Sequence, residues 1–386
     1  MKGIGGRNNM EEWKEYTIDS ICKNIFAGGD ASKYCHTAEK TNENNIPIYA
    51  NSVEKEGLYG YCNKPVVKEK AITIAARGAG TGFVSYRKEP FVPIVRLITL
   101  IPQEEVDILF LYYMLKYKKI TGDGSAIPQL TIPMIKKEVV SLPSIEEQSR
   151  ISTILSSLDD KIELNNRINA NLEEQAQALF HHWFVENKNK KWTYVDLGSV
   201  VKTTSGGTPS RSNLSYYENG TVKWLKSKEL KGTYITQTEE KITQYAVENS
   251  SAKLLPQNSV LIAMYGATVG EYAIIAEKMT CNQAICALLP NENYPCFYLF
   301  MLAKNKKEEL VNLAVGSAQQ NISQVSIKQV QVPTCKELIR KYDKLVAPYF
   351  EKILNNIKQN QSLCQLRDTL LPKLMNGEIE ILEEII

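Results

Sequence analysis

Between residues 144 and 185 one face of the chain recurs at alternating steps of four and three. It runs Ile151, Leu155, Leu158, Ile162, then Asn165 and Asn169, then Leu172, Ala176, Leu179 and Trp183. An average step of about 3.5 residues keeps one seam turned toward a partner helix. No Gly or Pro follows Pro143 in this stretch, and Ser144 precedes Glu147 by three residues, the spacing of a capping box. The pattern predicts one long helix over 144–187.

The same seam returns 191 residues later as Tyr342, Val346, Tyr349, Ile353, Asn356, Asn360, Leu363, Arg367, Leu370 and Leu374. Both seams carry two asparagines at their midpoints, so an antiparallel pair sets Asn165 against Asn360 and Asn169 against Asn356. A buried Asn costs stability but fixes register, because a slipped register strands its amide in an apolar seam. The seam spans roughly 48 Å at ~1.5 Å per residue, which makes it a spacer. Pro348 predicts that the second helix is kinked or begins there.

The remaining sequence is one plan used twice. WKEYTIDSI from Trp13 and WTYVDLGSV from Trp192 each lead to a glycine pair, Gly28-Gly29 and Gly206-Gly207. Ala75, Gly78, Gly82 and Pro102 recur at one offset as Ala263, Gly266, Gly270 and Pro290. An aromatic helical segment follows in each copy, around 109–115 and 297–302. Both copies then reach a Gly-Ser-Ala loop, at Gly124 and Gly316, and a short strand ending in Leu142-Pro143 or Val332-Pro333. Short β-type runs between glycines, mixed with amphipathic helical runs, predict an α+β fold. The expected organisation is a globular domain over 1–143, a spacer helix over 144–187, a second globular domain over 188–333 and a spacer helix over 334–386. Two similar domains at opposite ends of an antiparallel rod would be related by a pseudo-two-fold axis and offer two equivalent seats for identical partners.

Composition narrows the class. No apolar run approaches the ~20 residues of a membrane span, and the N-terminus MKGIGGRNNMEEW has no hydrophobic signal region. Eight cysteines occur without a C-x-x-C pair, which fits reduced thiols and a cytoplasmic location better than disulfides or zinc. Three histidines leave little for metal sites, and His181-His182 reads as a cap on the first long helix. Net charge is only +3, so nucleic acid is not argued by charge alone. The stretch 144–187 has eight acidic against three basic residues. An acidic helix is a poor surface for phosphates, so any nucleic acid falls to the globular domains.

Catalytic signatures are sparse. RGAGTGF from Arg77 lacks the G-x-G-x-x-G spacing, and neither a P-loop nor a G-x-S-x-G elbow occurs. No cofactor is expected. What stands out is a set of Gly-rich loops bearing hydroxyls, amides, lysines and aromatics. In the second domain these place Ser205, Thr208, Lys226, Ser227, Lys228, Tyr265, Asn282, Gln283, Gln319, Gln320 and Asn321 as candidate ligand contacts. In the first domain the candidates are Asn51, Ser52, Arg77, Arg87, Lys88 and Gln129. Gln and Asn can pair bidentately with adenine, Arg and Lys with guanine, and hydroxyls with phosphate.

On these features the chain resembles the specificity subunits of type I restriction–modification enzymes over essentially its full length. The motifs carrying the resemblance are SLPSIEEQSRI from Ser141, LRDTLLPKLMNGEI from Leu366 and LGSVVKTTSGGTPS from Leu197, together with the domain–helix–domain–helix plan. The resemblance implies a non-catalytic reader of double-stranded DNA with two target-recognition domains. Each would read one half of a bipartite asymmetric site. The helices would act as a ruler and as the dock for two modification (methyltransferase) subunits, with restriction and translocase subunits in the full complex. The partners would hold S-adenosylmethionine and carry out catalysis. Ile94-Val95 stand where the second domain has Asn282-Gln283, so the halves should not read alike. Two other classes stay open on the sequence: a coiled-coil scaffold without a nucleic-acid role, and a fused DNA methyltransferase.

Overall fold

The computed structural model describes residues 13–34, 36–122, 129–187, 192–314, 321–379 and 381. Contacts divide the chain into a first unit, Met1–Lys161 with Leu363–Ile386, and a second, Ile162–Ser362. Each unit therefore contains a globular domain and a stretch of both long helices.

The first unit builds a four-stranded antiparallel sheet in the order Cys22–Ala27, Ile98–Pro102, Ala71–Ile74, Val84–Arg87. A three-stranded sheet joins Leu58–Cys62, Ile46–Tyr49 and Val92–Pro93. The opening strand Lys14–Thr17 pairs antiparallel with the closing strand Val139–Leu142, so the domain's two ends are hydrogen-bonded together. All four residues of the central strand Ala71–Ile74 are buried, Thr73 with its hydroxyl accepting from Arg87 Nε at 3.0 Å. Helix Ile108–Lys118 starts on Asp107, whose side chain accepts from Phe110 N–H at 2.8 Å, a conventional N-cap. Its Phe110, Leu111 and Tyr113 share one core with Ile151 and Leu155 of the first long helix and Leu374 and Met375 of the second.

The second unit repeats this plan. A five-stranded sheet runs Lys202–Ser205, Ile285–Leu289, Val260–Ala263, Tyr272–Ile275, Tyr234–Ile235. A three-stranded sheet joins Glu240–Ile242, Val222–Leu225 and Thr280–Cys281, and Tyr194–Asp196 pairs with Gln331–Pro333 to close the domain. Helix Cys296–Asn312 packs on Phe180, Phe184, Tyr342 and Phe350. Phe297 stacks on Phe350 with ring centroids 4.6 Å apart. Pro295 supplies no side-chain cap. Asp343 of the second long helix does so instead, its Oδ1 accepting from Phe297 N–H at 2.8 Å and Tyr298 N–H at 3.0 Å.

The two long helices are Ile145–His181 and Lys336–Met375. Only half of the expected capping box forms: Glu147 N–H reaches Ser144 Oγ at 3.4 Å, while the Glu147 carboxylate turns to Arg150. Within the second unit the helices run antiparallel. Asn165 Nδ2 donates to Asn360 Oδ1, and Asn356 Nδ2 to Asn169 Oδ1, both at 2.8 Å. Asn165 also donates to Gln359 Oε1 at 2.8 Å, and Asn360 to Asn166 Oδ1 at the same distance. Within the first unit the corresponding contact is ionic, Arg367 Nη1 to Asp159 Oδ1 at 2.6 Å.

Two expectations are corrected. The second helix does not begin at Pro348; it starts twelve residues earlier, at Lys336, and runs on to Met375. Pro348 and Lys344, whose carbonyl loses its donor, are both exposed, so water can take up the freed oxygen. Val346 and Phe350, fully or nearly fully buried on either side, anchor the helix through that turn; each such side chain contributes about 1.5–3 kcal/mol. The His181-His182 pair does not cap the first helix. Both rings lie 3.2 Å from the Glu186 carboxylate, and the end is capped by Asn187, whose Nδ2 donates to the His182 carbonyl at 2.9 Å.

Candidate nucleic-acid interface

In the second unit five separate loops are tied into one cluster, mostly by backbone bonds. Gly207 N–H donates to the Cys281 carbonyl at 2.9 Å, and Asn282 N–H to the Leu225 carbonyl at 2.9 Å. Met264 N–H reaches the Ala284 carbonyl at 2.8 Å, and Ile322 N–H the Met264 carbonyl at 2.9 Å. The buried Trp224 adds a side-chain tie, its Nε1 donating to the Gly207 carbonyl at 3.0 Å. Thr208, Lys226, Tyr265, Asn282, Gln283 and Asn321 all sit on these loops, with Ser205 in register with Cys286 at the cluster's edge. Thr208 Oγ1 donates to Gln283 Oε1, and Tyr265 bridges Asn321. The side-chain oxygens of Asn282 and Asn321 are buried without a partner among the described residues. Gln319 and Gln320 lie outside the described residues.

The cations of this cluster are held by carboxylates. Glu240 accepts from Arg211 Nη2 at 2.7 Å and from Lys226. Burial alone would raise the Glu240 carboxyl; the hydrogen bonds from Lys226 and Arg211 outweigh it and hold the carboxyl below its ordinary range. Lys228 pairs with Glu239 at 2.7 Å, which raises the lysine and lowers the glutamate. Arg211 also lies over the rings of Tyr217 and Trp224, at 4.4 and 5.1 Å. Ser227 starts a single 3-10 turn between these two lysines. A phosphate engaging Lys226 or Lys228 would therefore replace an existing carboxylate rather than meet a free ammonium. Arg211 had no motif to mark it in the sequence, beyond being a cation beside a Gly-Gly loop.

The first unit builds the equivalent cluster from different side chains. Asn51 joins two loops: its Oδ1 accepts from Ala76 N–H at 2.7 Å, and its Nδ2 donates to the Val95 carbonyl. Arg77 Nη2 reaches Gln129 Oε1 at 3.2 Å, and the two residues form a β-bridge, as Tyr265 and Asn321 do in the second unit. Leu130 N–H donates to the Ala76 carbonyl at 2.9 Å, matching Ile322 on Met264. Ser52 Oγ accepts from Glu54 N–H at 3.2 Å.

Arg87 and Lys88 do not join this cluster. Arg87 is 5% exposed. Its Nε donates to Thr73 Oγ1 at 3.0 Å, its Nη2 to the Glu56 carbonyl at 2.7 Å, and its Cζ lies 3.6 Å from the Tyr49 ring centroid. Burial lowers its pKa from the ordinary value. An arginine so enclosed is a core residue with no face for a DNA groove. Lys88 Nζ pairs with Asp160 of the first long helix at 3.2 Å, tying a strand end to that helix.

Among the described residues no group of His, Cys, Asp or Glu is placed to hold a metal ion, and no helix is long and apolar enough to cross a membrane. The cysteines Cys22, Cys281, Cys286 and Cys296 are buried, and burial pushes each thiol up to about 12, which leaves them inert.

Two clusters of polar loops, carried with two long helices, define a recognition protein. The comparison with known families agrees. Residues 10–174 and again 189–363 match the family described as "Type I restriction modification DNA specificity domain", and the chain belongs to that family. It is similar to the type I restriction enzyme MjaIX specificity subunit of Methanocaldococcus jannaschii, 28% identical over 83% of this chain and 80% of that protein. It is also similar to the HindI specificity subunit of Haemophilus influenzae, 25% identical over 96% of this chain and 100% of that one. The crystal structure of a type I S subunit from M. genitalium shares the fold, with a TM-score of 0.63 at 20% identity, over 95% of this chain and 97% of that one. The chain is thus a DNA sequence-recognition subunit with two target-recognition domains joined by helices; specificity subunits are not themselves catalytic. The scaffold and fused-methyltransferase readings have no support.

Proposed function

We propose that each unit reads one half of a split, asymmetric duplex site, while the two long helices fix the gap between the halves and dock two methyltransferase subunits. The observation that carries this reading is the loop cluster built twice on the same backbone bonds with unlike side chains: Arg77 against Tyr265, Val95 against Gln283, Gln129 against Asn321. Two equal copies would read a symmetric site; two unlike copies read an asymmetric one. Contacts from the first unit would come from Ser52, Arg77 and Gln129, with Asn51 holding the loops beneath them. Those from the second would come from Thr208, Lys226, Lys228, Tyr265, Asn282, Gln283 and Asn321. Adenine methylation, with S-adenosylmethionine as donor, belongs on this reading to the methyltransferase partners, and cleavage to further subunits.

The test is to co-express the chain with its methyltransferase partner and sequence the methylated bases. A motif of two different halves separated by a fixed gap is expected; methylation at one contiguous motif, or without sequence preference, refutes the reading. Adding seven residues to each long helix should lengthen the gap and leave both halves as they were. An unchanged gap removes the helices from that role.

A further inference from the structure

The turn that follows strand Val92–Pro93 in the first unit is left-handed. Val95 and Arg96 have φ of 51° and 63°, and Leu97 N–H closes the turn on the Ile94 carbonyl at 3.0 Å. That geometry ordinarily selects Asn-Gly or Gly-Gly. For a β-branched residue such as Val95 it is an outlier, and strain of this kind persists only where the surroundings over-determine it, most often at ligand-binding segments.

Here the surroundings do so from two sides. Val95 N–H donates to the Gly29 carbonyl at 2.8 Å and Arg96 N–H to the Gly28 carbonyl at 3.0 Å. From the other side the Asn51 amide takes the Val95 carbonyl while its oxygen holds Ala76. The backbone beneath Arg96 is fixed, yet its side chain is exposed and has no ion-pair or hydrogen-bond partner among the described residues. Arg77 is engaged by Gln129 and Arg87 is enclosed in the core. The equivalent turn in the second unit, closed by Ile285 N–H on the Asn282 carbonyl at 3.3 Å, carries Gln283 and Ala284 where the first carries Val95 and Arg96. The first turn thus offers a guanidinium fork on a left-handed backbone, whereas Gln283 and Ala284 do not have positive φ and the Gln283 carboxamide is engaged by Thr208.

We infer that Arg96 reads a guanine in the first half-site, its fork directed to O6 and N7, and that Asn51 is the positioning residue that holds its turn. The inference rests on the DNA reading proposed above. A planar fork on a pre-organised turn loses little freedom on pairing with a base edge, whereas anchoring a phosphate needs no strained turn.

The test uses the full chain with its methyltransferase partner, comparing wild type with Arg96→Gly and Asn51→Ala. Glycine relieves the left-handed backbone, so Arg96→Gly should leave the thermal midpoint unchanged or raise it. Methylation should meanwhile lose its requirement for one guanine in the first half-site, with sites carrying that guanine used on the order of ten- to a hundred-fold less efficiently. The second half-site should not change. Asn51→Ala should relax the same position, and Arg96→Lys should restore part of the preference. An unchanged first half-site overturns the inference. So does a uniform loss across all sequences, which marks a phosphate contact, or a lowered midpoint with both halves relaxed, which marks damage to the fold. A wild-type complex with no bipartite motif overturns the DNA reading itself, whatever the variants do.

Discussion

Arg367 occupies a seam position of the second long helix, yet its side chain is only 20% exposed and its partner Asp159 28%. The pair is 2.6 Å apart, and Asp159 Oδ2 also accepts from the hydroxyl of Tyr113, itself 1% exposed, at 2.7 Å. Burial works against the Arg367 charge, but the carboxylates of Asp159 and Asp368 outweigh it and hold its pKa above the ordinary value. Exposed pairs are worth about 0–1 kcal/mol, and removing one partner of a fully buried pair costs about 3–5 kcal/mol. With roughly a quarter of each side chain in water, Arg367→Met should cost about 2 kcal/mol, because a largely sequestered carboxylate loses its counter-charge. Asp159→Asn keeps an acceptor for Tyr113 and leaves Arg367 with Asp368, so about 1 kcal/mol is expected. In the double variant neither charge is left behind, and the loss should stay near 1 kcal/mol instead of the additive 3, a coupling of about 2 kcal/mol. Urea denaturation gives the totals. Hydrogen exchange of peptides covering 108–118 and 363–375 localises the change to the first unit. Additivity within about 0.5 kcal/mol would show that the two side chains are neighbours without being energetically linked.

Asp343→Ala should cost about 1–2 kcal/mol, because helix Cys296–Asn312 then loses the acceptor for the first-turn donors of Phe297 and Tyr298; a loss confined to a few tenths, read from thermal melts, would deny the capping role. Burial raises the Asp343 carboxyl above its ordinary value in spite of the backbone hydrogen bonds that oppose it. The folded chain therefore binds more proton than the unfolded chain between the unfolded and folded pKa values, and this group's contribution falls as pH rises through that window; Asp343→Asn should flatten that slope in melts taken across it. Gly28→Ala should cost about 1–3 kcal/mol, since a methyl there would stand 2.5 Å from the Pro93 carbonyl carbon, while Gly29→Ala meets nothing within 4 Å and should change stability by under about 0.5 kcal/mol. Equal urea midpoints for the two variants would contradict the packing at this loop.

The helices were legible because a period persists over ten positions in each seam, and two asparagines at each midpoint fix which residues meet once the pair is antiparallel. The Asn165–Asn360 and Asn169–Asn356 bonds are the ones that an antiparallel pair with this spacing requires. Sheet order was not legible. Its strands are two to six residues long, and its pairings join distant segments, as when Lys14 meets Leu142; no local pattern records which runs will meet. The loop clusters were legible as polar, Gly-rich loops, but not which side chains remain free once folded. Arg87 reads as a surface cation at a strand end, and only the arrival of Tyr49, Glu56 and Thr73 from elsewhere in the chain encloses it. Arg96 has no signature at all, since Val-Arg is not a turn dipeptide and its left-handed backbone is imposed by Gly28, Gly29 and Asn51.

The division between what repeats and what varies has a physical basis. In both units the bonds that gather the loops are chiefly main-chain: Leu130 on Ala76 and Ile322 on Met264, the turn closures at Ile94 and Asn282, the bridges at Arg77 and Tyr265. A backbone N–H or carbonyl is present whatever residue is placed there, so these ties survive substitution of the side chains above them. Arg77 can become Tyr265, and Arg96 can become Ala284, without releasing a loop. The small residues are the exception. A side chain at Gly28 would meet the backbone of Pro93, and one at Gly206 would meet that of Cys281, so the first glycine of each pair is needed in both copies while the residues around it are free to differ. A scaffold held by main-chain bonds and close-approach glycines can change what it reads without changing how it folds, and two copies in one chain can therefore come to read two different half-sites.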